Sequence, residues 1–389
     1  MENPSSQPQK PNSSGGQQSR PSAPKSRTRR IVTVIAIVLA CVLLVGGIAA
    51  AAGYFYLDSK ITEGDAGELT SEVVATEPEI TSKVIHYLVC GIDFDADDNG
   101  RDYSNGLGMT DVILYVTVDI PNNKMNILQI PRDTDVGPTI PTGGTRKINA
   151  VFSHGADETN RISNLAKLLN EQFGLPVDHY VTINMDMFRA IFKILGGINM
   201  YVPWDVTDDK GNTIPQGNYF LDADHIEWIL RQRKEYAQGD LKRLELQQYF
   251  YKALFSTFKS FPMSDIIKVM PTFITYLNTD LSVADMLSFA NTVMNIDGAN
   301  IGFARCPGGP ISRVNTVDGS KESNYGINVE HLATLLNNYF RPYADPVPAS
   351  SLKLPVIADE DFTLGQINDD ITYMGALDSG AASSSSPAA

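Results

Sequence analysis

Val84-Ile85-His86-Tyr87-Leu88-Val89-Cys90 is a short apolar run that ends in Gly91. A run of this length closed by a glycine reads as a buried strand. Residues 112–118, Val-Ile-Leu-Tyr-Val-Thr-Val, form a second such run, rich in β-branched side chains. Pro121-Asn122-Asn123 marks a turn, and residues 125–130 return as a third strand. Beyond them the period changes. Residues 160–173 place Ile162, Leu165, Leu168 and Leu169 on one helical stripe, stopped by Gly174. Residues 187–195 repeat the pattern with Phe188, Ile191, Phe192 and Leu195, stopped by Gly196-Gly197. Residues 198–202 are again extended and 223–230 helical. A long helix over 241–258 turns Leu244, Phe250, Leu254 and Phe258 inward. Strands and helices mixed at these lengths predict an α/β or α+β sandwich with helices over both sheet faces.

The chain divides around this body. Its net charge is −14, yet residues 1–30 carry Lys10, Arg20, Lys25, Arg27, Arg29 and Arg30 against Glu2 alone. The rest is therefore strongly acidic, which excludes nucleic acid as a partner, since affinity there comes chiefly from Lys and Arg on phosphates. Residues 31–57 contain no charged side chain. As a helix this run spans roughly 40 Å at about 1.5 Å per residue, against a hydrocarbon core of about 30 Å. Arg27, Arg29 and Arg30 precede it, and Tyr54, Phe55 and Tyr56 sit at its far interface. Basic residues on the amino side place that side in the cytoplasm. A cleavable signal peptide, for which Ala49 to Ala52 offer small residues, fits less well: the run is too long and the polar leader too extended. The expected order is a disordered basic tail (1–30), a transmembrane signal-anchor helix (31–57), an extracellular stalk (58–82), a body (83–343) and a disordered tail (344–389) rich in Pro, Ala and Ser. Cys90 and Cys306 fall in the body, as either a disulfide in an oxidising exterior or two buried thiols.

Charged residues stand where apolar strands end. Asp93 follows the first strand and Asp111 opens the second. Two carboxylates at neighbouring strand ends suit a hard divalent cation such as Mg²⁺, and equally suit loop capping. Asp95, Asp97 and Asp98 imitate a calcium loop, but the sixth position from Asp93 is not glycine and the twelfth is Ser104. Arg132 follows the third strand, where its planar fork would serve an anionic ligand or a surface ion pair. Arg231, Arg233, Asp240, Arg243 and Gln247 lie close together, the last three stepping by three and four along one helix face. That cluster is either a solvated helix or, with Asp93 and Asp111, a pyrophosphate site. No nucleotide-binding glycine loop, serine-hydrolase elbow or zinc-protease motif is present.

In order, Val89-Cys90-Gly91-Ile92-Asp93, Thr110-Asp111, Gln129-Ile130-Pro131-Arg132-Asp133 and Lys147-Ile148-Asn149-Ala150 resemble the LytR–CpsA–Psr family of bacterial envelope proteins. The likeness continues through Gly174-Leu175-Pro176-Val177-Asp178-His179-Tyr180, Leu195-Gly196-Gly197-Ile198, Arg231-Gln232-Arg233, Gly239-Asp240-Leu241-Lys242-Arg243 and Gln247-Gln248. The resemblance implies an α-β-α sandwich with a mixed central sheet, preceded by one transmembrane helix. It implies a phosphotransferase that moves an anionic glycopolymer, of teichoic acid or capsular polysaccharide type, from a polyprenyl-pyrophosphate carrier to peptidoglycan. By it, Asp93 and Asp111 would hold Mg²⁺. Arg132, Arg231, Arg233 and Arg243, with Gln247, would hold the pyrophosphate, and Asp240 would activate the acceptor hydroxyl. The family's apolar lipid tunnel would draw on the stripes of 187–195 and 241–258, which read equally as core. Met109 stands where the family usually has an arginine, and Leu246 where it commonly has another. A protein that only binds or regulates a lipid-linked polymer, and a pyrophosphatase using water as acceptor, are the other classes these residues would serve.

The arginines before residue 31 predict the amino terminus inside the cell and the body outside. Protease added to intact, wall-stripped cells should digest the body and spare the tail; protection of the body would overturn that topology.

Overall fold

The computed structural model describes residues 67–92, 108–184, 192, 196–207, 211–231, 240–260, 277–358, 361–362 and 370–378. Three strands form where the apolar runs predict them: β1 (Val84–Ile92), β2 (Thr110–Asp119) and β3 (Lys124–Gln129). They pair antiparallel in succession, β2 and β3 as a hairpin closed at the predicted turn, with Asp119 opposite Lys124. The sheet grows to seven strands with β4 (His179–Asn184), β9 (Leu277–Thr279), β10 (Ile301–Arg305) and β13 (Thr372–Tyr373). Its order is β13-β10-β3-β2-β1-β4-β9. β4 lies parallel to β1 and β10 parallel to β3, so the sheet is mixed.

Alternate side chains on each strand feed two apolar cores. Tyr87, Val89, Val116, Val118, Met125 and Ile127 face one core, shared with the helices α3 (Ala223–Arg231), α4 (Asp240–Lys259) and α5 (Val283–Asn295). Leu88, Cys90, Ile113, Tyr115, Leu128 and Ile130 face the other, shared with α2 (Arg161–Leu168) and α6 (Val329–Tyr339). Helices on both faces of a mixed sheet make the expected α-β-α sandwich. A short helix, α1 (Val151–His154), precedes α2, which runs on as one π-type turn over Leu169–Phe173. Gly174 ends it in a left-handed conformation (φ 61°), and the buried Arg341 donates to the carbonyls of Phe173 and Gly174 at 2.7 and 3.0 Å. Small antiparallel pairs sit outside the main sheet: β5 (Ile198–Val202) with β8 (Gly217–Leu221), β6 (Val206–Thr207) with β7 (Thr213–Ile214), and β11 (Gly308–Val314) with β12 (Lys321–Ile327).

Both ends of the body need correction. The segment expected as a stalk is bound to the body from Gly67 onward. The backbone N–H and hydroxyl of Thr76 both donate to the Asp178 carboxylate at 2.6 Å, and Val74 N–H donates to Asn170 at 2.7 Å. Polar contacts of this kind leave no apolar period, so the strap was invisible in the sequence. The body also continues past Tyr343. Leu352 and Leu354 are buried, Thr372–Tyr373 adds the edge strand β13 beside β10, and Ile371 and Leu377 are buried near it. These apolar residues are scattered among prolines and polar residues with neither a two- nor a 3.6-residue repeat. Cys90 and Cys306 are free, buried thiols, with burial pushing both thiols well up from their ordinary range. Among the described residues no helix is long and apolar enough to cross a membrane; residues 31–57 lie outside them.

Deleting residues 344–389 should therefore lower the melting temperature by many degrees, because several side chains worth about 1.5–3 kcal/mol each on burial are lost. A thermal melt followed by circular dichroism checks this, and an unchanged midpoint would contradict the packing described.

Candidate functional site

The strand directions assemble the site. β1, β3, β4 and β10 all end, and β2 begins, at one edge of the sheet. Crevices at the carboxyl ends of strands are the usual ligand sites of such sheets. In the β2–β3 hairpin Leu114 pairs with Gln129, and Ile130 N–H still reaches the carbonyl of Ile113 at 3.0 Å. Asp111 and Arg132 each lie three residues beyond that Leu114–Gln129 pair, so the register itself brings them face to face. Arg132 Nη1 donates to both oxygens of Asp111 at 2.7 Å. The pair is half-buried, with side-chain exposures of 15% for Arg132 and 28% for Asp111.

The loop that carries Arg132 is held from several directions. Thr134 closes a turn onto the Pro131 carbonyl, through its N–H at 3.0 Å and its hydroxyl at 2.6 Å. Asn149 N–H donates to the Arg132 carbonyl at 3.1 Å, and Ile148 N–H to that of Thr134 at 2.9 Å. Asp133 neighbours Lys147 at 3.4 Å, and Lys147 reaches Glu322 of β12 at 3.0 Å. Deeper down, the fully buried Asp135 carboxylate receives Arg146 through two bonds of 2.9 and 2.8 Å, and Arg313 at 2.8 Å. A carboxylate removed from water needs such compensation. Here it fastens the Arg132 loop to the β11–β12 hairpin.

The other half of the site rides on α4. Arg243 and Gln247 are both buried on this helix, as their predicted shared face requires. Gln129, the last residue of β3, ties the helix to the sheet. Its amide donates to the Leu244 carbonyl at 3.1 Å and to Gln247 at 3.4 Å, and its carbonyl accepts from Gln248 at 3.0 Å. Burial pushes the Tyr251 phenol up, while the Arg243 charge and a hydrogen bond from Gln129 pull it down. Arg243, Tyr251 and Gln129 thus share one neighbourhood.

Of the residues singled out by sequence, the structure joins Asp111 to Arg132 and Gln247 to the end of β3. Arg231 closes α3 and Asp240 opens α4, but their side chains lie outside the described residues, as do Asp93 and Arg233 entirely. Ile92, the last described residue of β1, pairs with Thr110. Asp111, the residue after Thr110, thus stands beside the end of β1. Oxygen donors of this type fit a hard cation, although no group of three or more His, Cys, Asp or Glu among the described residues could hold a metal. The two departures separate cleanly: Leu246 is fully buried in the core, whereas Met109 is exposed beside Asp111. Phe250 and Leu254 also pack in that core. Two residues at this edge had no role in the sequence reading. Gln129 stands inside the Gln129–Asp133 motif with no role of its own assigned there, and Arg305 ends β10 directly opposite it. Their shared signal is a polar residue that directly follows the last apolar residues of a strand.

Residues 55–339 match the LytR_cpsA_psr family. The polyisoprenyl-teichoic acid–peptidoglycan teichoic acid transferase TagV of Bacillus subtilis is 30% identical over 62% of this chain and 60% of its own. The corresponding transferase TagU of Bacillus cereus is 27% identical over 46% of this chain and 54% of its own. The chain thus spans little more than half the length of these curated relatives. The crystal structure of B. subtilis TagV shares the fold, with a TM-score of 0.50 and 24% identity, covering 64% of this chain and 93% of that one.

Gln129→Ala should cost about 1–2 kcal/mol in a denaturant melt, the usual worth of buried amide bonds, and should loosen α4 against β3. Hydrogen exchange in the first turns of α4 should rise with it; unchanged exchange there would mean that the helix is placed by its apolar face alone.

Proposed function

Because the chain belongs to the LytR_cpsA_psr family, we propose that it transfers an anionic glycopolymer from a polyprenyl-pyrophosphate carrier to peptidoglycan, from a position anchored in the cell membrane with the body outside. The observation that carries the reading is Arg132, paired with Asp111 and held on a clamped loop at the carboxyl edge of the sheet. The names of the relatives TagV and TagU, both teichoic acid transferases acting on peptidoglycan, support the substrate class.

The chemistry follows from charge. An acceptor hydroxyl attacks the sugar-bearing phosphorus, a new P–O bond forms, and the bridging P–O bond to the lipid phosphate breaks. The hydroxyl proton passes to the Asp240 carboxylate in this reading. Negative charge grows on the bridging and non-bridging oxygens, and groups placed beforehand stabilise it best. Arg132, Arg231, Arg233 and Arg243 are the cations assigned to it, with Gln247 as a hydrogen-bond donor beside them. Arg132 reaches the phosphates from a fixed loop, so little ordering is left for the moment of reaction. Asp93 and Asp111 would hold Mg²⁺, whose charge would neutralise the pyrophosphate oxygens. No nucleotide is required, because the pyrophosphate bond is already activated.

Full-length protein incubated with a short-chain polyprenyl-pyrophosphate oligosaccharide and peptidoglycan fragments should release lipid phosphate in step with glycan transfer. Release without transfer would make it a pyrophosphatase, and tight binding without turnover a polymer-binding protein; either overturns the proposal. Arg132→Ala should abolish transfer, and Arg132→Lys should restore little, since an ammonium lacks the two-pronged fork. Asp111→Ala separates two roles by calorimetry with the same carrier. As a metal ligand it should weaken binding only when Mg²⁺ is present. If it serves only to orient Arg132, the loss should be equal in chelator, and the Mg²⁺ assignment falls.

A further inference from the structure

A groove lined by neither Asp111 nor Arg132, with a volume of about 440 Å³, opens between β7 and α3, in the range of small-ligand sites. Its described lining is Asn212, Thr213 and Ile214 on one wall, and Asp224, His225 and Trp228 on the other. Trp228 is half-buried, packed partly on the core below while it borders the groove. The polar residues around it, Asn212, Thr213, Asp224 and His225, are exposed. Both walls are braced. Asp222 accepts from His225 N–H at 3.0 Å and pairs with its ring at 2.6 Å, and Thr213 meets Thr207 across the β6–β7 pair at 2.9 Å.

We propose that this groove binds the amino-sugar chain of the peptidoglycan acceptor, which rests on the transferase reading above. An indole edged by an amide, a hydroxyl and a carboxylate is the chemistry that holds an N-acetylhexosamine. The ring's apolar face lies on the indole, and its hydroxyls and acetamido N–H meet the polar rim. Charge decides between the two glycans of the reaction. The described lining has a carboxylate, Asp224, and no Lys or Arg, so a polyanionic donor polymer is repelled while the uncharged N-acetylglucosamine units of the glycan strand are not. Position agrees as well. α3 runs from the groove to Arg231, three residues beyond Trp228, so an acceptor seated there would approach the arginine-bearing end of the same helix.

The test uses full-length protein in detergent and chitotetraose, the soluble and uncharged tetrasaccharide of N-acetylglucosamine. The chain has two tryptophans, so Trp204→Phe leaves Trp228 as the sole emitter. The tetrasaccharide should change its fluorescence saturably, and poly(glycerol phosphate) should not compete. By calorimetry, Trp228→Ala should raise the saccharide Kd tenfold or more, Trp228→Phe less. The exposed Asp224→Asn, which leaves the core untouched, should raise it several-fold. Affinity for a short-chain polyprenyl pyrophosphate should stay unchanged in all three. No saturable signal, preferential binding of the anionic polymer, or a Kd indifferent to both Trp228→Ala and Asp224→Asn would overturn the proposal. If the tetrasaccharide binds at Trp228 but no transfer occurs, the groove stands and the transferase reading falls. If transfer proceeds with an unaltered KM for peptidoglycan in Trp228→Ala, the groove assignment falls alone.

Discussion

Everything at the carboxyl edge depends on one constraint: a guanidinium and a carboxylate must meet because a hairpin register leaves them no alternative. Arg132 and Asp111 lie the same distance past the last ladder pair of β2 and β3, and close to 2.7 Å. A half-exposed ion pair of this sort adds little net stability, since desolvation offsets most of the attraction. What it adds is position. The chain of alternating charge from Asp111 through Arg132, Asp133 and Lys147 to Glu322 passes from the start of β2 to β12. Each member fixes the next, and the buried Asp135, with Arg146 and Arg313, anchors the same loop from beneath. Arg132 is thereby held in place before any ligand arrives.

The second half of the site is joined to the first through a single strand. Successive residues of β3 face opposite cores, and Gln129 has the parity of Met125 and Ile127. It therefore points to the α4 side, while Leu128 and Ile130 point away. A leucine in its place would extend the core; a glutamine instead binds the Leu244 carbonyl and both glutamines of α4. Three residues later the same chain presents Arg132. One short segment thus sets the relative placement of the loop arginine and the buried face of α4.

How much of this was legible in the sequence depends on which force placed each residue. β1, β2 and β3 were plain, because burial on both faces leaves continuous apolar runs. Asp111 and Arg132 were found by their position at strand ends, yet their pairing was read only as two separate sites. The signal was present in the hairpin: the Pro121-Asn122-Asn123 turn sets the register, and counting outward from it brings Asp111 opposite Arg132. Asp135 could not have been found this way, since Arg146 and Arg313 reach it from a loop and a distant hairpin with no periodic relation. The strap around Thr76 and the return of Leu352, Leu354 and Thr372–Tyr373 to the body were missed for the same reason. Hydrogen bonds and isolated apolar anchors leave no repeat to read.

On the proposed reading an acidic protein would work on an anionic carrier, and the layout of its charges would reconcile the two by range. The net charge of −14 repels such a ligand from afar. In physiological salt, however, that field decays over about 8 Å, so only nearby charges act on a ligand already at the sheet edge. There Arg132, Arg243 and Arg305 lie on or beside adjacent elements, while the carboxylates of Asp111 and Asp133 are engaged by cations. Long-range steering would hardly help a lipid-borne substrate, whose search is confined to a surface. Were the body anchored at that surface, as proposed, the tether would set encounter and leave the body's charge free to be acidic. The arginines then need to act only at contact distance, where a held fork meets phosphate oxygens by geometry as well as charge.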